Sequence, residues 1–130
     1  YFDAWVMMAK AHPDRLFYAY TKSLTYWLRR RDDIPENLVL TASFGGRLDS
    51  KIETEKLRSS VVVYSVQEAI DKGLEIDHTD EHAAIPSTRD QDFALLIHGT
   101  QPKGSVAGAA IKELKRKNVK FSYSRKVVNA

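Results

Sequence analysis

The chain has 130 residues, 43% hydrophobic and 28% charged, and its 20 basic and 17 acidic side chains leave a net charge of +3. That length suits one domain, and so small a net charge does not by itself point to nucleic acid. The chain contains no cysteine, which excludes disulfides, thiolate zinc sites and any iron–sulfur cluster held by this chain alone; no apolar run approaches the roughly 20 residues that span a bilayer. These features predict a cytoplasmic protein with no membrane partner. The first residue is Tyr and already belongs to an amphipathic pattern, so the expectation is the carboxy-terminal part of a longer architecture.

Phe2, Trp5, Val6 and Ala9 recur at helical spacing, and His12-Pro13-Asp14 ends the pattern. Leu16 to Tyr20 is short and aromatic-rich, as a strand would be, and Leu24, Trp27 and Leu28 mark a helix that runs to Arg31. Leu38 to Ala42 is continuously apolar or β-branched, which predicts a central strand. The loop Ser43 to Gly46 and a charged segment, Lys51 to Arg58, lead to a further buried strand at Val61 to Tyr64. Ser65 and Glu68 have capping-box spacing, and Gly73 stands where that helix would close.

Leu74 to Asp77 reads as a brief strand, followed by an acidic loop to Asp92. Phe93 to Ile97 is again a buried strand, and Val106, Ala110, Ile111 and Leu114 give one face of a helix. Val119 to Tyr123 is a candidate last strand. Strands alternating with helices predict a single α/β domain over residues 1–130, with a mainly parallel sheet in a partial or open barrel, or a Rossmann-like sheet as the alternative.

In parallel α/β folds ligands gather at the carboxyl ends of strands. The loops there supply Thr21, Lys22 and Ser23, then Ser43, Gly45 and Gly46, then Asp77, His78, Asp80 and His82, and finally His98 and Gln101. Lys22 would neutralise ligand charge, while Gly45 and Gly46 would let backbone amides approach. Asp77 and His98 would hold the ligand or exchange protons, with the His98 ring at the core boundary. His78, Asp80 and His82 offer imidazole and carboxylate donors for a divalent metal. Solvated surface side chains are the plainer reading of the same acidic loop. Gly99 to Ser105 lies between a strand and a helix but does not match the phosphate-loop pattern.

Seven acids against two bases lie between Asp71 and Asp92, and eight bases against one acid between Lys103 and Lys126. The basic stretch is either a solvated face or a surface for nucleic acid or a host protein. An open barrel edge also leaves room for a second copy of the chain.

Several separated segments carry a resemblance. Tyr1 to Trp5, Phe17 to Ser23, Asn37 to Ser43, Asp77-His78 with Asp80 and His82 to Ala84, and Ala94 to Gly104 together resemble the phage and prophage gene product 88 family over nearly the whole chain. The resemblance implies a partial α/β barrel similar to radical SAM enzymes, preceded in longer members by a cysteine-bearing region, and a host-cell cytoplasmic location. With no cysteine here, an iron–sulfur cluster would need another segment or chain. The expectation is a phage-type protein that binds a small anionic or metal-linked ligand at its strand ends, as the remnant of a larger enzyme. The alternative is an interaction module acting through the basic carboxy-terminal face. No catalytic set is assigned from the sequence.

Overall fold

The spacing of Phe2, Val6 and Ala9 produces helix α1 (Phe2–Ala11), which buries those three residues and closes at His12, just before Pro13. The computed structural model describes residues 1–98, 101 and 103–119. They divide into two units, Tyr1–Ser60 with His82–Gln91, and Val61–Glu81 with the described residues from Asp92 onward.

In the first unit, β1 (Phe17–Thr21) pairs in parallel with β2 (Leu38–Ser43), in a register that sets Phe17 beside Leu38 and Thr21 beside Ala42. Five of the six β2 residues are buried, as a continuous apolar run requires of a strand covered on both faces. Leu38, Leu40 and Ala42 share a core with Phe2, Val6, Ala9, Leu24 and Trp27 from α1 and α2 (Leu24–Arg29). Ion pairs fasten α1 from outside: Arg30 reaches Asp3 at 2.6 Å, and Lys10 pairs with Asp33. The Lys10 ammonium, with help from Arg30, holds the Asp33 carboxyl below its ordinary range.

One polar side chain organises the approach to β2. The Asn37 amide nitrogen donates to the carbonyls of Ala9, His12 and Arg15 at 2.9, 3.0 and 2.9 Å, and the Asn37 carbonyl accepts from Phe17 N at 2.7 Å. The end of α1 and the start of β1 are thereby tied to the residue that enters the central strand.

The charged segment after the loop contains a short helix, α3 (Ser50–Thr54), which periodicity does not reveal because it buries only Ile52. It ends in a Schellman cap: Leu57 N bonds Ile52 O at 3.0 Å and Lys56 N bonds Glu53 O at 3.2 Å. Lys56 itself takes a left-handed φ of 53°. That conformation costs a side-chain-bearing residue about 1 kcal/mol or more relative to glycine.

Strand β3 (Ser59–Val63) begins two residues earlier than the apolar run, because buried Ser59 and Ser60 pair with Ala42 and Ser43. In the second unit, α4 (Val66–Asp71) starts as its sequence requires: Ser65 Oγ accepts from Glu68 N, and Glu68 Oε1 accepts from Tyr64 N, both at 3.1 Å. Gly73, at φ 68°, closes it in a second Schellman cap. Leu74 to Asp77 contributes one bridge, Ile76 to Ala94, rather than a strand. The acidic loop is more ordered than its composition suggests, holding α5 (Glu81–Ala84) and a 3₁₀ turn at Pro86–Thr88.

Strand β4 (Phe93–Leu96) is wholly buried, and Ala94 and Leu96 pack with Val63, Ala69 and Leu114. Leu114 comes from α6 (Val106–Arg116), which is capped by Ser105. Of the last predicted strand, residues 120–123 lie outside the described residues. The four strands form one parallel sheet in the order β1-β2-β3-β4, not closed into a barrel. The fold is therefore α/β, and its strand order is sequential, without the reversal that marks the switch point of a doubly wound sheet. No helix among the described residues is long and apolar enough to cross a membrane.

The Asn37 knot yields a quantitative expectation. Asn37→Ala removes a link shared by three carbonyls, of which Ala9 O and His12 O keep backbone donors and Arg15 O reaches solvent, and should lower stability by about 1 kcal/mol, seen as a fall in the urea midpoint. Asn37→Asp, which sets a carboxylate against the same carbonyls, should cost more.

Candidate functional site

Lys22 follows β1 and Ser43 ends β2, so parallel pairing brings both to the same end of the first unit's strands. The Lys22 ammonium donates to Ser43 Oγ at 2.9 Å and to the Phe44 carbonyl at 2.7 Å, with the Ser43 carbonyl at 3.4 Å. Its stem lies over Gly46, where a Cβ would come within 3.2 Å of Lys22 Cβ, and its ammonium nitrogen would be 3.5 Å from a Cβ at Gly45. Gly45 has φ 106°, outside the comfortable range of L residues. Lys22, Ser43, Gly45 and Gly46 thus form one cluster.

The glycine amides face inward within this cluster. Gly45 N donates to the Asp49 carboxylate at 3.0 and 3.2 Å, and Gly46 N donates to the same group at 2.9 Å. Asp49 thus occupies the position expected for a ligand anion, a role that escaped the sequence reading although an acid three residues past a glycine pair is a recognisable turn signal. The cationic side chain of Lys22 stays exposed.

A cavity of about 400 Å³ opens in the same unit. Phe2, Trp5 and Tyr26 supply aromatic walls, and Thr21 and Ser23, the neighbours of Lys22 in the chain, line it as well. Thr21 Oγ1 accepts from Ser23 N at 2.9 Å, which fixes the turn that carries Lys22.

Asp77, His78, Asp80, His98 and Gln101 belong to the second unit. Asp77 is 1% exposed, and its carboxylate accepts from Thr79 N at 3.1 Å, closing a turn in which Asp80 takes φ 65°. His78 Nδ1 is buried with no hydrogen-bond partner among the described residues. His98 does not lie at the core boundary: both faces of β4 are buried through Ile97, but the strand ends at Leu96 and His98, two residues beyond it, is exposed, with its Nδ1 3.1 Å from the Leu96 carbonyl. Gln101 Nε2 donates to the His98 carbonyl at 3.3 Å.

His82 falls in the first unit, where its carbonyl is held by a residue that the sequence reading left unmarked. Arg58, 7% exposed, donates to the carbonyls of His82 at 2.7 Å, Ala83 at 3.2 Å and Thr88 at 3.4 Å. Nothing in the sequence separates this arginine from the solvated charges that precede it.

A family model for gene product 88 matches residues 1–121. The chain belongs to the gene product 88 family. No curated protein and no solved structure matches it. The family match assigns this gene product 88 chain no ligand or reaction, and it lends no support to the likeness to radical SAM enzymes.

Among the described residues of the gene product 88 chain, no three His, Asp or Glu side chains group so as to hold a metal ion. His82 sits on α5 in the first unit, while His78 and Asp80 sit on a turn of the second, and no metal site is assigned to them. On the basic face of α6, Glu113 pairs with Arg116 at 2.7 Å and with Lys117 at 3.6 Å. The hydrogen bonds from Arg116 pull the Glu113 carboxyl down to about 2.

Two expectations follow for the gene product 88 chain. Asp49→Ala should cost about 1–2 kcal/mol and speed amide exchange at Gly45 and Gly46, because both amides lose a charged acceptor. Glu113, whose folded pKa is depressed from 4.5, should keep its pairs above that pH and lose them only as the pH falls through about 2. Carboxyl-carbon NMR should show that midpoint, and Arg116→Gln should move it back upward.

Proposed function

We propose that this gene product 88 protein binds a small anionic ligand at the carboxyl ends of β1 and β2, with Lys22 as the recognising charge. One observation carries the reading. The Lys22 ammonium is exposed, is held in place by the neutral oxygens of Ser43 and Phe44, and has no carboxylate partner among the described residues. A cation anchored in this way keeps its position without losing its charge.

The aromatic cavity is lined by Thr21 and Ser23, which flank Lys22 in the chain, and not by Lys22 itself. Its aromatic walls suit an apolar ligand body, and its one acid, Asp3, is already paired with Arg30. Asp49 satisfies the loop amides, so anion recognition rests on the lysine side chain. The basic face of α6 supports an interaction surface less well, because Glu113 offsets two of its cations.

A single exposed ammonium contributes about 1 kcal/mol, roughly a fivefold change in affinity. Titrating ¹⁵N-labelled protein with inorganic phosphate at constant ionic strength should give saturable amide shifts at Phe44 to Gly46. Lys22→Gln should weaken that binding about fivefold or more with an unchanged melting temperature. Equal shifts in Lys22→Gln would reject the proposal.

A further inference from the structure

A second cavity, of about 270 Å³, lies in the first unit at the amino ends of β2 and β3, the ends opposite Lys22. Four cations line it, Arg31, Lys56, Arg58 and Arg89, against one acid, Asp90, and Trp27 contributes to an apolar floor. The three guanidiniums are aimed by backbone carbonyls. Arg31 bonds Glu55 O at 2.6 Å, Arg89 bonds Glu36 O at 2.7 Å and Pro86 O at 3.2 Å, and Arg58 holds its three carbonyls from a buried position. Arg31 also pairs with Glu55 at 3.1 Å, whereas Arg89 and Lys56 have no carboxylate partner among the described residues.

Lys56 is the unexpected member. Among the described residues three helices end in Schellman caps, and the left-handed residue is Gly73 after α4, Asn118 after α6 and Lys56 after α3. Glycine and asparagine are the usual occupants of that position. The cap at α3 would close at least as well on glycine, so the helix ending does not account for the lysine. Lys56 instead lines a cavity where a second cation, Arg89, also has no carboxylate partner among the described residues.

From this juxtaposition we infer that the amino-end cavity binds a small phosphomonoester, its dianionic head between Lys56 and Arg89 and its apolar body on Trp27. A guanidinium fork and an ammonium point charge together match a tetrahedral dianion better than a monocarboxylate, which can satisfy only one of the two. The inference is independent of the Lys22 reading, because the two sites share no residue.

The probe is phenyl phosphate, followed by the fluorescence of Trp27 in a Trp5→Phe background, which leaves Trp27 as the only indole. Saturable change in Trp27 emission is expected, with phenol and benzoate at least about tenfold weaker. Lys56→Gly should weaken phenyl phosphate about tenfold or more while raising the melting temperature, a divergence that a purely structural lysine would not produce. Arg89→Gln should weaken it similarly, and Lys22→Gln should leave it unchanged. No saturable response up to about 10 mM, or equal affinity in Lys56→Gly, would overturn the inference. Tighter binding of a single-stranded oligonucleotide, with the same dependence on Lys56, would overturn the small-ligand assignment and give the surface to nucleic acid.

Discussion

The Arg58 guanidinium is the contact on which the arrangement of the first unit depends. The segment His82–Gln91 is distant in sequence from the rest of that unit, and Ala83 is its one fully buried apolar residue, so hydrophobic burial alone supplies little to place it. Arg58 supplies the missing constraint through charge-assisted hydrogen bonds to three carbonyls, two of them at α5 and one at the following turn. Thr88 Oγ1 reinforces the turn by bonding the His82 and Ile85 carbonyls at 3.0 Å, and Arg89 extends the attachment to Glu36. Because Arg58 opens onto the amino-end cavity, the same contact that places the segment also brings Arg89 and Asp90 to that cavity.

Asn37 plays the corresponding part at the other joint of the unit. Both side chains use several donors to collect carbonyls from segments separated in sequence, and both sit next to the start of a strand. Carbonyls left over where a helix or turn stops need partners, and a multi-donor side chain satisfies several with one residue. The cost is sensitivity, since a single substitution removes several links between separated segments at once.

Much of this was legible from residue order. The unbroken apolar run at Leu38 to Ala42 announced a strand buried on both faces, and Ser65, Glu68 and Gly73 announced both ends of α4, because these signals are local. The approach of Lys22 to Ser43 was also legible, since residues that follow adjacent parallel strands must meet at one end. What stayed hidden was non-local or atypical. Helix α3 presents a single buried residue, Ile52, too few for a period to show, and Arg58 ends a run of charges whose other members give no sign that one of them turns inward. His98 was misplaced for a simpler reason: an apolar run buried on both faces gives no sign of where its strand stops, and His98 lies two residues past the end.

The way each cation is anchored separates structural charges from available ones. Lys10, Arg30 and Arg31 each end on a carboxylate, which fixes the side chain and cancels its charge together. Lys22 and Arg89 end on hydroxyl or carbonyl oxygens, which fix the side chain and leave the charge in place. A carboxylate would make either anchor stronger, so stability alone does not favour neutral partners at these two positions. Arg89 lines the amino-end cavity, as the carboxylate-paired Arg31 also does, and Lys22 lies in the chain between Thr21 and Ser23, which line the aromatic cavity. A charge that is held still but not neutralised is already organised for an anion, and binding then needs little further ordering of the side chain that reads it.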